Sequence, residues 1–425
     1  MVFIYRQEIL KDVSLFTSQP KAKFYDELFI NLDLSCIPAH NSKLGRAGYS
    51  NHSMICAFIV MKCEGFSQIS DLHDYLSNNL IIAHYCGFDI SRELPSYAKF
   101  TRFIREFDND MLQIVMQSQV LKAAGLSLID SSFVALDATP VKANVSNNNL
   151  SPLNEEKFSK TYPPKADKDC RLGVQTASNQ HNEKKYEFYW GYKNHILVDC
   201  ISGLPVCELT TGANVSDSSV TLKILKRANS FLPLAECSFL ADKAYDVKAI
   251  YNAVHDTYNG DCFVALNKRN AKNPQKLPAG NIICEAGPAM HKDGRFSENG
   301  RTRQKYSCPF KRSKSGCCPC NHKCWNNGKK NRGCTKYVTI PDDYRLSVDR
   351  SSIAFKSVYA LKTEAERYNS RFKQAGRERV FVRSDNSVKN LNTVAHISLL
   401  SIAIAAVITK KVVSYRSVKT LKRLA

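Results

Sequence analysis

The sequence predicts a mixed α/β fold, in which a sheet flanked by helices is preceded by an all-α region and interrupted by a basic, Cys-rich insertion. Three observations carry this. The runs "SFVALDA", "ECSFLAD" and "DCFVALN" are short and apolar and are bounded by polar residues, as buried strands are. Helix-spaced apolar patterns lie before, between and after them, and strands alternating with helices describe a sheet covered by helices. Residues 270 to 345 break the pattern, with few aliphatics and many Lys, Arg, Gly and Cys.

Taken in order, residues 1–125 read as a helical domain. "SMICAFIVMKCEGFSQISDLHDYLSNNLIIAHYCGF" has helix-compatible apolar spacing, and "LPSYAKFTRFIREF" places Pro95 and Ser96 to start another helix. Such helices near a basic face suit DNA; a plain helical bundle fits the pattern as well. Residues 126–270 form the first part of the α/β core. Here "YEFYWGYKNHILVDC" and "LPVCELTTG" flank "ISG" and predict a hairpin, and "DSSVTLKILKRANSF" opens a helix on an Asp cap. Residues 271–345 are the insertion; from Lys292 to Lys336 it holds 13 basic residues and two acidic ones. Residues 346–425 complete the core with "FKSVYALKTEAERYNSRFKQAG", an apolar helix and a basic tail.

Composition narrows the function. The 425 residues hold 60 Lys and Arg against 39 Asp and Glu, a formal charge of +21. Such an excess favours polyanions, with nucleic acid the default partner and an anionic membrane surface the rival. The amino terminus lacks the apolar core of a signal peptide. The longest apolar run, Ile397–Ile408, is shorter than the roughly 20 residues that span a bilayer, so a buried helix is expected. A cytoplasmic location follows as the expectation, with the 16 cysteines reduced, metal-bound or buried.

In such a basic chain, two aspartates need a reason. Asp137 and Asp242 each end an apolar strand. On neighbouring strands both carboxylates would emerge at one edge and repel, unless a cation sat between them. Hard oxygen ligands suit Mg²⁺ or Mn²⁺, and a carboxylate–Mg²⁺ site in a basic protein suggests phosphodiester chemistry. Strand-end aspartates also serve as turn and cap residues. A third carboxylate belongs with them. Tyr359, Lys362, Glu366 and Lys373 step by three, four and seven residues, which puts all four on one helix face. A solvated salt-bridge stripe has the same spacing.

With these residues in hand, the chain resembles DDE transposases of the insertion-sequence class, whose catalytic core is ribonuclease H-like. Those enzymes carry a Tyr-x2-Arg-x3-Glu-x6-Lys signature; here Tyr359, Lys362, Glu366 and Lys373 stand at that spacing, with Lys362 in place of Arg. "ALDATPVKAN" is similar to the segment around the family's first Asp, and "ADKAYD" to that around the second. "YWGYKNHILVD" and "GANVSDS" are similar to segments between them, and the amino-terminal stretches to the helical domain that commonly precedes this core. The resemblance implies that Asp137, Asp242 and Glu366 are catalytic and hold Mg²⁺ (or Mn²⁺), cutting DNA at an element's ends and joining the freed 3′-hydroxyl to target DNA. It implies that Lys362 and Lys373 neutralise phosphate charge and that Tyr359 stacks on a base or fixes the DNA end, unless Tyr359 simply packs on the sheet. The implied partners are double-stranded DNA, at terminal inverted repeats and at the target, and a second copy of the chain as a homodimer; no membrane is implied. Two other readings keep the fold: an inactive or domesticated DNA-binding descendant, and a Mg²⁺-dependent nuclease without strand transfer.

Further residues have two readings each. Lys193, in "GYKNH", is a candidate phosphate contact, and the neighbouring His195 reads as hydrogen-bonded structure. In the insertion, Cys308, Cys317, Cys320 and Cys324 are candidate ligands of a structural Zn²⁺, with Cys284, Cys318, Cys334 and His322 nearby. Their spacing is not a clean pair of C-x2-C knuckles, and reduced thiols fit equally. Either way the segment's charge predicts contact with a DNA backbone.

Overall fold

A computed structural model describes residues 17–40, 48–145, 163–178, 184–267, 282–299, 301–312, 334–339 and 344–410. The amino-terminal region is helical, as its spacing predicts: α1 (Pro20–Ile30), α2 (Asn51–Cys63), α3 (Ile69–Asn78), α4 (Leu80–Tyr85), α5 (Tyr97–Glu106) and α6 (Asn109–Gly125). Proline stands in the first turn of α1, where no backbone N–H is missed. Ser50 and Asp108 cap α2 and α6 by accepting from the backbone N–H groups of His52 and Asp110. All of α2 except His52 is buried, Lys62 included, so it runs through the interior and not along the surface.

The main sheet is mixed. β1 (Phe133–Lys142) lies antiparallel to β3 (Lys184–Asp199), which pairs β2 (Arg171–Ser178) along its first half and β4 (Pro205–Gly212) along its second. On its other side β1 runs parallel to β5 (Ser238–Ala241), and β5 runs parallel to β6 (Asp261–Val264). The order is therefore β2 and β4 on β3, then β1, β5 and β6. The predicted hairpin is β3–β4; Gly203 closes its turn at φ +69°, a conformation that favours glycine. β5 is a continuous apolar run because parallel strands are covered on both faces. β2 has no counterpart among the predicted elements. Its polar, Gly-containing sequence carries little strand signal, and long β3 recruits it as a partner.

Helices α7 (Asp217–Asn229) and α8 (Lys248–Asn252) follow β4 and β5. The insertion holds a small antiparallel sheet of β7 (His291–Glu298), β8 (Arg301–Ser307) and β9 (Thr335–Thr339). Charge and Cys content hid these strands from the sequence reading. Only a minor core of Ile282, Cys284, Met290 and Tyr306 backs them, so they need little apolar alternation.

After α9 (Tyr344–Ser347) come α10 (Ile353–Ala360) and α11 (Thr363–Phe372), where one continuous helix was expected. Around Leu361 and Lys362 the backbone bonds tighten to i→i−3, from Lys362 to Tyr359 and from Ala365 to Lys362. The Thr363 hydroxyl also donates back to the carbonyl of Ala360 (2.9 Å), which competes with the regular ladder.

The chain's described part ends with α12 (Asp385–Ile408), 24 residues long. By length and composition α12 would cross a membrane, yet nearly all of it is buried inside the protein. That is the buried helix the apolar run predicts. It packs against α6, α2, α5 and β4, so one apolar core joins the amino-terminal helices to the sheet.

Candidate active site

Strand pairing places the first two carboxylates. Leu136 of β1 is in register with Ala241 of parallel β5, so Asp137 and Asp242 occupy the next position on adjacent strands, which lie about 5 Å apart in a sheet. β1 does not end at Asp137, as its sequence suggested. It continues to Lys142 along antiparallel β3, and only its β5 side stops there. Asp242 follows β5 and caps a 3-10 turn, its Oδ1 accepting from the N–H of Ala244 (2.7 Å). The cap occupies one carboxylate oxygen of two, so capping and cation binding are compatible.

The third carboxylate arrives on α11, which packs over β1 and β3. Burial pushes the Asp137 carboxyl up to about 6. The Lys362 charge and the N–H of Ala138 work against that shift, and the Asp242 and Glu366 charges add to it. The three acids are therefore electrostatic neighbours. Lys362 Nζ sits 2.7 Å from Glu366 Oε1. Burial alone would lower its ammonium, but the Glu366 hydrogen bond and the Asp137 charge raise it. Tyr359 stacks on Phe355 at the same rim (centroids 5.5 Å); burial raises its phenol, and the Asp242 and Glu366 charges contribute. Lys373 is exposed just past the end of α11. Among the described residues no three His, Cys, Asp or Glu side chains are close enough to enclose a metal ion. Asp137 feels the charges of both Asp242 and Glu366, and the Lys362 ammonium offsets those of Asp137 and Glu366.

Lys193 stands apart from this group. It pairs with Pro140, an odd number of positions from Asp137, so its side chain leaves the opposite face of the sheet. There it donates to Asp217 Oδ1 (2.9 Å) and to the carbonyl of Val215 (3.1 Å). The ammonium expected to contact phosphate is thus occupied by an ion pair in this structure. Asp217, expected as a helix cap, is the first residue of α7; Ser216 is the cap position, and the Asp217 carboxylate serves Lys193 instead. His195 is buried and hydrogen-bonded to Thr211 (2.9 Å), the structural role its strand position suggested. Cys317, Cys318, Cys320, His322 and Cys324 lie outside the described residues. Of the others, Cys284 belongs to the insertion's small core, Cys334 packs on it, and Cys308 N–H donates to the carbonyl of Cys334 (2.9 Å).

Two residues near the site were not singled out from sequence. Asn369 Nδ2 donates to Asp137 Oδ2 (2.9 Å) from a position one helical turn beyond Glu366. That i, i+3 spacing was the available signal. Asp246, four residues past Asp242, is fully buried. Its Oδ2 accepts from the N–H of Asn267 (2.8 Å), where the chain leaves the core for the insertion. Arg345 and Arg350, where it returns, approach the same carboxylate at 3.7 and 3.8 Å. One buried carboxylate thus holds both roots of the insertion.

The family description "Transposase DDE domain" matches residues 129–400, well over half the chain. The chain belongs to that family. The match spans β1 to α12 and contains all three carboxylates of this DDE-domain protein. Its architecture is also similar to solved structures at low identity. For a piggyBac transposase synaptic complex with hairpin DNA, the TM-score is 0.40 at 10% identity, over 98% of this chain and 80% of that one. For a Mos1 transposase paired-end complex with left transposon end, it is 0.17 at 11% identity, over 52% and 61%. No curated protein matches the chain.

Proposed function

We propose that this DDE-domain protein cuts DNA at the ends of an insertion element and transfers the freed 3′-hydroxyl into target DNA, using Mg²⁺ or Mn²⁺. The observation that carries the reading is the electrostatic proximity of Asp137 on β1 to Asp242 after β5 and to Glu366 on α11, beside Lys362. The strand order supports a ribonuclease H-like core: antiparallel β4, β3 and β1, then parallel β5 and β6. The donor set fits the ion. All three side chains offer hard oxygens, and burial, with like charges adding to it, raises Asp137, a strain that a bound cation would relieve. Divalent ions there would activate the attacking oxygen and stabilise the leaving one.

The chain's own residues do the rest. Asp137 is held on a sheet, Glu366 on a helix packed over it, and Asp242 in the turn that follows β5, so each acid has its own support while DNA is exchanged. Lys362 is already at the rim and would turn its ammonium from Glu366 to a phosphate oxygen. Exposed Lys373, about two helical turns beyond Glu366, would hold the DNA backbone further along. Tyr359, with one ring face on Phe355, would offer the other face to an unpaired base. The net charge of +21 would draw double-stranded DNA, and joining two ends calls for two copies of the chain.

A strand-transfer assay with a pre-cut element end and Mg²⁺ tests the reading. Joined product is expected; cutting of intact ends with no joining would leave a nuclease instead. For the insertion we propose a structural Zn²⁺ held by Cys308, Cys317, Cys320 and Cys324. About one equivalent of zinc in protein never exposed to chelator is expected, and a content near zero removes the proposal.

A further inference from the structure

We infer that Asn369 is a positioning residue of the cation site: it orients Asp137 and leaves its own amide oxygen for a water that the cation carries. The inference rests on the carboxylate reading above and adds a residue to it. Asn369 is only 8% exposed, and its Nδ2 donates to Asp137 Oδ2 at 2.9 Å. Its Oδ1 is buried and has no hydrogen-bond partner among the described residues. A buried amide oxygen without a donor is uncommon, because desolvation is then uncompensated. Turning the amide over would not help, since it would set Oδ1 against a carboxylate oxygen, acceptor against acceptor. Asp137 therefore dictates the orientation, and the orphaned oxygen is its consequence.

Placement adds to this. Asn369 sits three residues after Glu366 on α11, so one helix presents an acid and the group that aligns the facing acid on β1. A shift of α11 would move both together. The Asn369 bond fixes one oxygen of Asp137 and leaves the other for a cation. A water on that cation, at the Asp137 side, is the donor that the chemistry of the site offers to Oδ1. Groups that hold a metal ligand in place commonly change cation affinity by about 10- to 100-fold when removed.

The test uses the full-length chain and Mn²⁺ as the probe. Mn²⁺ affinity is measured directly by calorimetry or electron paramagnetic resonance for wild type, Asn369→Ala and Asp242→Asn, with thermal melting in the absence of metal as the folding control. For Asn369→Ala the expected result is Mn²⁺ affinity weaker by about 10-fold or more, unchanged melting, and DNA cleavage that recovers at high Mn²⁺. Unchanged Mn²⁺ affinity would overturn the inference and make the bond simple packing between α11 and β1. Should Asn369→Ala fail to fold, Asn369→Ser keeps a small donor; it is expected to bind Mn²⁺ between wild type and a non-binding level, and wild-type affinity overturns the inference equally. Asp242→Asn separates the two levels. If it loses Mn²⁺ while Asn369→Ala does not, only the role of Asn369 fails; if it too binds normally, the carboxylate site itself is wrong.

Discussion

Two groups of carboxylates, one at the rim of the sheet and one deep beneath it, are built to opposite standards. Glu208 is almost fully buried and fully engaged. Thr393 and Gln113 donate to its Oε1, and Asn194 donates to its Oε2 at 2.7 Å. The same network reaches His396 through Asn194 (3.0 Å) and Tyr368 through His396 (2.6 Å). Asn392, bonded to Arg377, extends it through Thr210. It ties α6, the sheet, α11 and α12 together; the side-chain donors to the Glu208 carboxylate are neutral, and the Arg227 guanidinium donates to its backbone carbonyl. The rim acids have almost none of this. Asp137 has one side-chain donor, Asn369; Glu366 has Lys362; Asp242 caps a turn. Burial raises both Glu208 and Asp137, but only around Glu208 do converging hydrogen bonds offset it. Satisfied buried charge is structural glue, whereas under-satisfied charge at an accessible rim leaves room for a ligand.

The contrast breaks most visibly under paired substitutions. Asp242→Asn should lower DNA cleavage by more than about 100-fold, beyond the usual effect of removing a partner of a metal ligand, while stability stays near wild type. Glu208→Ala should do the reverse. Two or more orphaned donors at about 1–3 kcal/mol each predict a loss of about 3 kcal/mol or more in urea unfolding. Gel-shift affinity, cleavage rate and denaturation, measured on both variants, decide it. A destabilised Asp242→Asn that still cleaves would erase the distinction.

A smaller effect concerns acid. Burial pushes the His396 imidazole down from 6.5 to about 3, with the Arg377 charge adding to the shift. The unfolded chain therefore binds more protons between those values. The stability this group contributes is intact above about pH 6.5 and falls as pH drops towards 3, by up to about 1.4 kcal/mol per pH unit. His396→Gln keeps a polar side chain without the titration. Unfolding curves at pH 7, 5 and 4 should show a shallower acid loss in that variant; identical slopes would place the sensitivity elsewhere, with His195 the next candidate because burial also lowers it, to about 4.

The smallest expected effect lies at the insertion's roots. Asp246→Asn should cost about 1 kcal/mol globally, the scale of a modest ion-pair loss after solvent relaxation, yet raise hydrogen exchange at the Asn267 amide markedly. Unchanged exchange there would mean that Arg345 and Arg350 hold the insertion without the carboxylate.

Particular residues show where sequence reasoning reached and where it stopped. The strands of β1, β5 and β6 were legible because period and length carry a buried strand, and the Glu366 signature was legible because helical spacing is local. Asp137 and Asp242 followed from strand placement. The ion pair of Lys193 was not legible, because its partner Asp217 lies in another element and the face it occupies depends on strand register. Lys62, Glu208 and Arg377 carry no burial signal in the sequence, and all three are buried. Nothing in a linear pattern distinguishes a buried charge with distant partners from an exposed one with none.

The amino-acid sequence by itself determined the local elements: apolar period, capping residues, the order of three acids and the basic composition of the insertion. These depend on neighbours a few residues apart. Only the tertiary structure decided that β1 continues past Asp137, that α12 is sealed against α2, α5 and α6, and that Asn369 meets Asp137. The last pair lies 232 positions apart in the chain. Contacts of that separation are set by how faces pack and registers align, and those are properties of the whole core.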